Sequence, residues 1–230
     1  MLGKGFFLTE AHNPDLPPEE WTLFYEKTTA GSDSTTLPWG KYKIVISGAG
    51  GGGAAAGWNE SSGTRYANNG YKGEEKTIYV NVDYGNTLAI SGIIGAGGGG
   101  AAARIEHTNY NYAGAGGTGY QNGSSGTIQT YSQLGVAATT AGGGGGGSTS
   151  IEWDSNIQSV ANGGNGGNAR YSKGNIWGFG GTGGSGGTTA GTGAAGGTGS
   201  ATYGSSQQYG GKGTDGYVKI YVSNLKPGQN

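Results

Sequence analysis

Three stretches of the chain alternate apolar and polar residues with a period of two. They are Lys41-Tyr42-Lys43-Ile44-Val45-Ile46-Ser47, Lys76-Thr77-Ile78-Tyr79-Val80-Asn81-Val82 and Gly216-Tyr217-Val218-Lys219-Ile220-Tyr221-Val222. This periodicity predicts strands with one buried face. Trp21-Thr22-Leu23-Phe24-Tyr25 and Thr87 to Ile94 are rich in β-forming residues and predict two more. Asp83-Tyr84-Gly85-Asn86 carries turn chemistry between the second and the last of these. No segment has the 3.6-residue periodicity of an amphipathic helix, so the chain is expected to be all-β or irregular.

Glycine tracts fill the space between the strands. The nonapeptide Gly-Ala-Gly-Gly-Gly-Gly-Ala-Ala-Ala occurs at 48–56 and again at 95–103, each time directly after a strand. Such a repeat predicts two equivalent structural corners. Gly142 to Gly147 is an unbroken run, and period three appears in Gly163-Gly164-Asn165-Gly166-Gly167-Asn168 and from Gly180 to Thr188. Three residues per turn is the period of an extended left-handed helix of the polyproline II type. Glycine at two of every three positions leaves two sides of such a helix bare, so that neighbours can approach at backbone distance. Thr, Ser or Asn would then occupy the third, outward side. Ordering glycine costs more entropy than ordering any other residue. An array of this kind must therefore be wide and clamped by the strands.

Composition supports that picture. The 230 residues include 56 glycines, against roughly 16 for an average chain of this length. Leu, Ile, Val and Phe are scarce, which limits a conventional core. Disorder is the ordinary reading of such a composition, but 15 Tyr, 5 Trp and a net charge of −1 argue for a folded chain. The same near-neutral charge argues against nucleic acid as a partner. No charged residue occurs between His107 and Ile151 or between Gly174 and Gly211, as a close-packed backbone array requires. There is no cysteine, which excludes disulfides and thiolate metal sites. The apolar run near the N-terminus is too short for a signal peptide, and no stretch is long enough for membrane insertion. Residues 1–20, with Pro14, Pro17 and Pro18, read as an arm that is either an attachment segment or a loose terminus. Residues 21–222 form the glycine-rich domain, and 223–230 a tail.

The segment from Leu37-Pro38-Trp39-Gly40 through Ser47 into Gly48-Ala49-Gly50-Gly51-Gly52-Gly53 resembles the opening of the glycine-rich domains of phage and bacterial proteins. Tyr84-Gly85-Asn86-Thr87-Leu88-Ala89-Ile90, leading to Gly95-Ala96-Gly97, resembles their second signature. Asp215-Gly216-Tyr217-Val218-Lys219-Ile220-Tyr221-Val222 resembles their closing strand. The resemblance covers residues 21–222. It implies a small β-framework, a jelly-roll-like sandwich, enclosing packed polyglycine II helices. Similar architecture occurs in the tail-fibre tip adhesins of T-even-like phages, whose loops between glycine motifs touch the host receptor. It occurs also in glycine-rich regions of animal receptor kinases and in an antifreeze protein. The implied location is the virion tail or an extracellular surface. The implied partners are a bacterial surface protein or glycan, other fibre or tail proteins, and further copies in a trimer. Residues 1–20 do not align with the fibre-attachment domain of those adhesins.

Candidate chemistry is non-catalytic, with no cofactor and no metal site expected. Gly48, Gly50 and Gly53 match a dinucleotide fingerprint, but Ala54-Ala55-Ala56 leads into a polar loop rather than a helix. His12 and His107 have no ligand or triad spacing, and Glu152 and Asp154 beside Trp153 read as a solvated pair. The informative residues are aromatic and amide side chains between the glycine tracts, the types that sugar or protein recognition uses. Trp58, Tyr66 and Tyr71 follow the first nonapeptide. Asn109, Tyr110, Asn111, Tyr112, Tyr120 and Gln121 follow the second, in what reads as one polar loop. Trp153 follows the six-glycine run, and Trp177 with Phe179 precedes the last long tract. These residues either contact a receptor or cap the ends of the glycine array and supply its missing core. Rival readings are a purely structural virion or filament subunit and an ice-binding protein presenting Thr182, Thr188, Thr192 and Thr198.

Overall fold

The chain shuttles between two poles, and strands mark each arrival. The computed structural model describes residues 16–59, 65–105, 111–133, 136–172, 175–204 and 206–229. Strands β1 (Trp21–Lys27), β2 (Gly31–Leu37) and β3 (Gly40–Ser47) lie at one pole. The 48–54 segment carries the chain to the other pole, where it forms β4 (Ala55–Trp58) and β5 (Arg65–Ala67). It returns through 68–74 to β6 (Glu75–Val82) and β7 (Leu88–Ile94), and crosses again through 95–101 to β8 (Ala102–Ala103). Segments 112–120 and 121–127 make a round trip and lead to β9 (Ile128–Gln133) and β10 (Val136–Ala141). Segment 142–148 returns to β11 (Thr149–Trp153) and β12 (Asn156–Ala161). Segment 162–168 crosses to β13 (Ala169–Tyr171) and β14 (Ile176–Gly178). Segments 179–184 and 193–199 make a second round trip to β15 (Ser200–Tyr203) and β16 (Gln208–Tyr209), and 210–216 returns to β17 (Tyr217–Ser223).

At the first pole two antiparallel sheets pack face to face, in the orders β1-β17-β3-β6 and β12-β11-β7-β2. Strand alternation turns Tyr42, Ile44, Ile46, Val218 and Ile220 inward from one sheet. They meet Leu37, Ile90, Ile94 and Ile151 from the other in one buried cluster. Each aliphatic side chain buried this way contributes roughly 1.5–3 kcal/mol. Tyr25 ties the sheets at their edge by donating to both carboxylate oxygens of Asp33, at 2.8 and 2.7 Å. That hydrogen bond, with burial adding to it, pushes the Tyr25 phenol up to about 12. The chain is therefore all-β, with a single 3₁₀ turn at Gly184–Gly186 among the described residues. Among those residues no helix is long and apolar enough to cross a membrane.

Between the poles the ten connecting segments bond to one another through their backbones. In 48–54, Gly48, Gly51 and Ala54 donate to 68–74, Ala49 and Gly52 to 142–148, and Gly50 and Gly53 to 210–216. Its carbonyls accept from 162–168, 95–101 and the 193–199 segment with Ser200. Every third residue thus returns to the same neighbour, and the segment is enclosed on six sides. Segment 142–148 is enclosed likewise, by 121–127, 162–168, 95–101, 112–120, 179–184 and 48–54. A Cβ added to Gly143 would collide with the Gly52 carbonyl, and one on Gly53 with the Thr198 carbonyl. Neither glycine has a positive φ. Alanine could adopt the backbone there but has no room.

Two expectations change. The nonapeptide copies are not equivalent, because 48–54 is enclosed whereas 95–101 lies on the rim, beside 48–54, 142–148, 112–120 and 210–216. The polar residue of the period-three tracts reaches sideways rather than only outward. Asn165 and Asn168 side-chain oxygens accept from Gly183 and Gly180 at 2.9 and 2.7 Å, and Ser124 Oγ accepts from Thr182 at 2.8 Å. These bonds satisfy rim amides that have no further segment beyond them.

Gly143→Ala is expected to lower stability by about 3 kcal/mol or to prevent folding. Thr182→Ala, at an exposed side chain, stays within about 0.5 kcal/mol; thermal unfolding measures both. A folded phenol pKa raised above 10 means that the Tyr25 contribution is full below pH about 10 and is lost as pH rises through about 12. Tyr25→Phe therefore flattens the alkaline limb of stability over that window and removes one late-ionising phenol from the ultraviolet titration.

Candidate binding face

At the second pole three small sheets close the array, in the orders β15-β4-β10-β9, β14-β13-β5 and β16-β8. Ala54, Ala56, Ala138 and Ala169 are small enough for the first two sheets to approach closely, and Trp58, Tyr171 and Ile176 fill the remaining space. The Arg65 guanidinium lies 4.9 Å from the Trp58 ring and 5.8 Å from Tyr171, and is part of this packed layer. Trp58 is only 8% exposed, so it belongs to the core of this pole.

Alternation then decides what faces out. Ala169 and Tyr171 on β13, and Ile176 and Gly178 on β14, are buried; Arg170 and Trp177 between them are half-buried. Arg170 sits opposite Trp177 on one side and Tyr66 on the other, giving a cross-strand row Tyr66, Arg170, Trp177. The Arg170 guanidinium stacks 4.3 Å from the Trp177 ring. Tyr66 meets Trp177 edge-on at 6.4 Å, and Phe179, 52% exposed, stacks parallel to Trp177 at 5.8 Å. Gln129 Oε1 accepts from Trp177 N–H at 2.7 Å and fixes the strand carrying the ring.

Of the residues singled out in the sequence, Tyr66 and Trp177 meet in this row. Tyr112 is at the same pole, bridged to Ala102 and half exposed. The Asn111 side chain there pairs with both backbone groups of Arg104, at 2.5 and 3.0 Å. Asn109 and Tyr110 lie outside the described residues. Tyr120 and Gln121 are at the opposite pole, bonded to Ser148 just before β11. The expected single loop is divided because Gly114 and Gly117 donate to Gly142 and Gly145, making this stretch one of the ten crossings. Its two ends stand roughly 25 Å apart, at about 3.1 Å per extended residue. Tyr71 sits mid-crossing, its carbonyl accepting from Gly51. Trp153 packs against the sandwich core at the β11–β12 hairpin. Glu152 there accepts from Ser91, and Asp154 occupies the turn with φ 52°. Arg170 was missed, although the Ala-Arg-Tyr and Ile-Trp-Gly triplets alternate in phase.

The sandwich pole carries different features. Trp39 meets Tyr84, 82% exposed, edge-on at 5.0 Å, with Lys226 4.8 Å from the Trp39 ring. Pro18, Glu19 and Glu20 bond Asn224 and Ser223 here, so the approach to β1 and the exit from β17 run side by side. Lys41 and Ser223 both hold the Glu19 carboxyl below its ordinary range, the Lys41 hydrogen bond contributing most. No family model and no curated protein matches this chain.

Trp58→Ala is expected to cost about 3–5 kcal/mol, whereas Trp177→Ala, on the outward row, costs about 1 kcal/mol or less. Denaturant unfolding of the two variants checks the assignment of one ring to the core and the other to the surface.

Proposed function

We propose that this chain is a non-catalytic receptor-binding module, the tip of a bacteriophage tail fibre or a kindred surface adhesin. The observation that carries this reading is the division of the molecule into two poles. The stretches that precede β1 and follow β17 run together at the sandwich, beside the exposed Trp39–Tyr84 pair. The outward aromatic and cationic row lies at the other pole, beyond ten crossings. Attachment to another fibre protein suits the first pole and recognition of a bacterial surface molecule the second. The crossings read as polyglycine II helices, a reading supported by bonding that repeats every third residue and by enclosure on six sides. The sandwich reads as jelly-roll-like. A rigid array of this kind lowers the entropy lost when its surface engages a receptor. Kinship with the T-even-like tip adhesins belongs to this proposal and rests on the motif order in the sequence.

A structural subunit is the second reading, favoured by the exposed aromatics of the sandwich pole. The ice-binding reading draws no support from geometry, because Thr182 and Thr198 lie on segments that share no backbone hydrogen bond.

Fluorescently labelled protein is expected to bind saturably to a few strains in a panel of intact bacteria. Replacing Tyr66, Trp177 and Phe179 together by Ala is expected to reduce that binding by about tenfold or more, while Tyr84→Ser leaves it unchanged. A folded protein that binds no strain would shift the reading to the structural subunit.

A further inference from the structure

Arg170 is held in an unusual setting for a surface arginine. Its guanidinium is stacked on Trp177 at 4.3 Å, and its Nε is buried with no hydrogen-bond partner. Among the described residues of this pole there is no Asp or Glu to pair with it. The described residues of the strands and turns that build the pole carry Arg65, Arg104 and Arg170 and no acidic side chain. Stacking occupies the face of a guanidinium and leaves its in-plane N–H groups able to donate hydrogen bonds. The fork they form matches the two oxygens of a carboxylate. Trp177 therefore orients Arg170 before any ligand arrives, which reduces the ordering cost of binding.

The rings beside it define the rest of the ligand. Tyr66 stands edge-on to Trp177 at 6.4 Å and Phe179 lies parallel to it at 5.8 Å, with half of its surface open. Gly178 and Gly180 flank Phe179 and bring no side chain to cover it. The result is an aromatic patch with the open Phe179 ring and a cation beside it. We infer that this face binds an acidic sugar, a pyranose whose apolar C–H face rests on Phe179 or Tyr66 and whose carboxylate engages Arg170. A protein loop presenting Asp or Glu would use the cation but would leave the open Phe179 ring without a matching flat partner. The inference rests on the receptor-binding reading for its biological setting and names the ligand class of the same face.

The test titrates the whole protein with oligomers of galacturonic acid and of glucuronic acid, and with the same oligomers after reduction of their carboxyl groups to alcohols. Calorimetry gives affinity, and the Trp indole resonances report the site. The acidic oligomers of at least one type are expected to bind saturably and to shift an indole signal. Their reduced forms are expected to bind about tenfold more weakly or worse, a charge-assisted bidentate pair being lost. Arg170→Gln is expected to lose about tenfold or more with its unfolding temperature unchanged. Arg170→Lys, which keeps the charge without the fork, falls between. Equal affinity for acidic and reduced oligomers, no binding of either acid type, or wild-type affinity in Arg170→Gln would overturn the inference. The bacterial assay separates the two readings. Saturable binding to cells without binding to any acidic oligomer overturns the acidic sugar alone. Binding to the oligomers without binding to any strain overturns the cell-surface role and leaves the sugar site standing.

Discussion

The structure depends on one interaction: a backbone N–H of one crossing meeting a carbonyl of the next with no Cβ between them. The bond from Gly52 to Gly144, at 2.8 Å, is representative. Chains at this separation leave no volume for side chains on the enclosed sides. Two crossings, 48–54 and 142–148, are enclosed all round, and their only side chains are those of Ala49, Ala54 and Ser148. Rim crossings have free sides and most carry polar residues there, as 68–74 and 162–168 do, although 95–101 has none. Enclosure therefore restricts composition, while a rim position permits polar residues without requiring them. The absence of charge from the long stretches after His107 and after Gly174 has the same origin, since a buried ion would have no partner among paired amides.

A single net hydrogen bond contributes only about 0.5–1.5 kcal/mol, while each ordered glycine loses more backbone entropy than any other residue. The array cannot stand alone on these terms. It is anchored at one end by the aliphatic core between two sheets and at the other by the layer of Trp58, Tyr171 and Ile176. Polar side chains complete the junctions. Asp215 accepts from Gly97 and Ala30 at 2.9 and 3.2 Å. Burial raises its pKa, but those two N–H groups with Lys212 outweigh burial and hold the carboxyl below its ordinary range. Ser47 Oγ accepts from Ala194 at 2.8 Å where β3 gives way to the first crossing.

Five of the sandwich strands were legible, most plainly β3 and β17, where Tyr42, Ile44, Ile46, Val218 and Ile220 recur at every second position; β2, β11 and β12 were not, their segments being rich in Ser, Thr and Asn. The strands of the opposite pole were not. Ala55-Ala56-Gly57 and Ala102-Ala103 have no alternation to detect, because they pack against backbone and other small residues rather than against a large apolar face. The period-three tracts announced a repeating, close-packed arrangement, but not which copy of a repeat lies at the centre. That is decided by neighbours distant in the chain. The candidate face was half legible. Tyr66 and Trp177 stood out as aromatic residues between glycine tracts, whereas Arg170 acquires its role from the register of β13 against β5 and β14. Tyr112 and Tyr120 looked like neighbours because the glycines between them resemble a flexible loop, and a glycine-rich crossing has the same local composition.

The direction of the crossings has a mechanical side. All ten run along the line joining the poles, and their mutual hydrogen bonds lie across it. A pull on the aromatic row, resisted at the sandwich, is carried along covalent backbone by many crossings side by side, while the transverse amide bonds are not stretched along their length. The parts that such a load would peel first are the strand pairings at the two ends, where β1 leaves β17 and where β5 leaves β13. In such a body the weakest individual bonds stand perpendicular to a load along the poles, and toughness is set by its end caps rather than by its glycine interior.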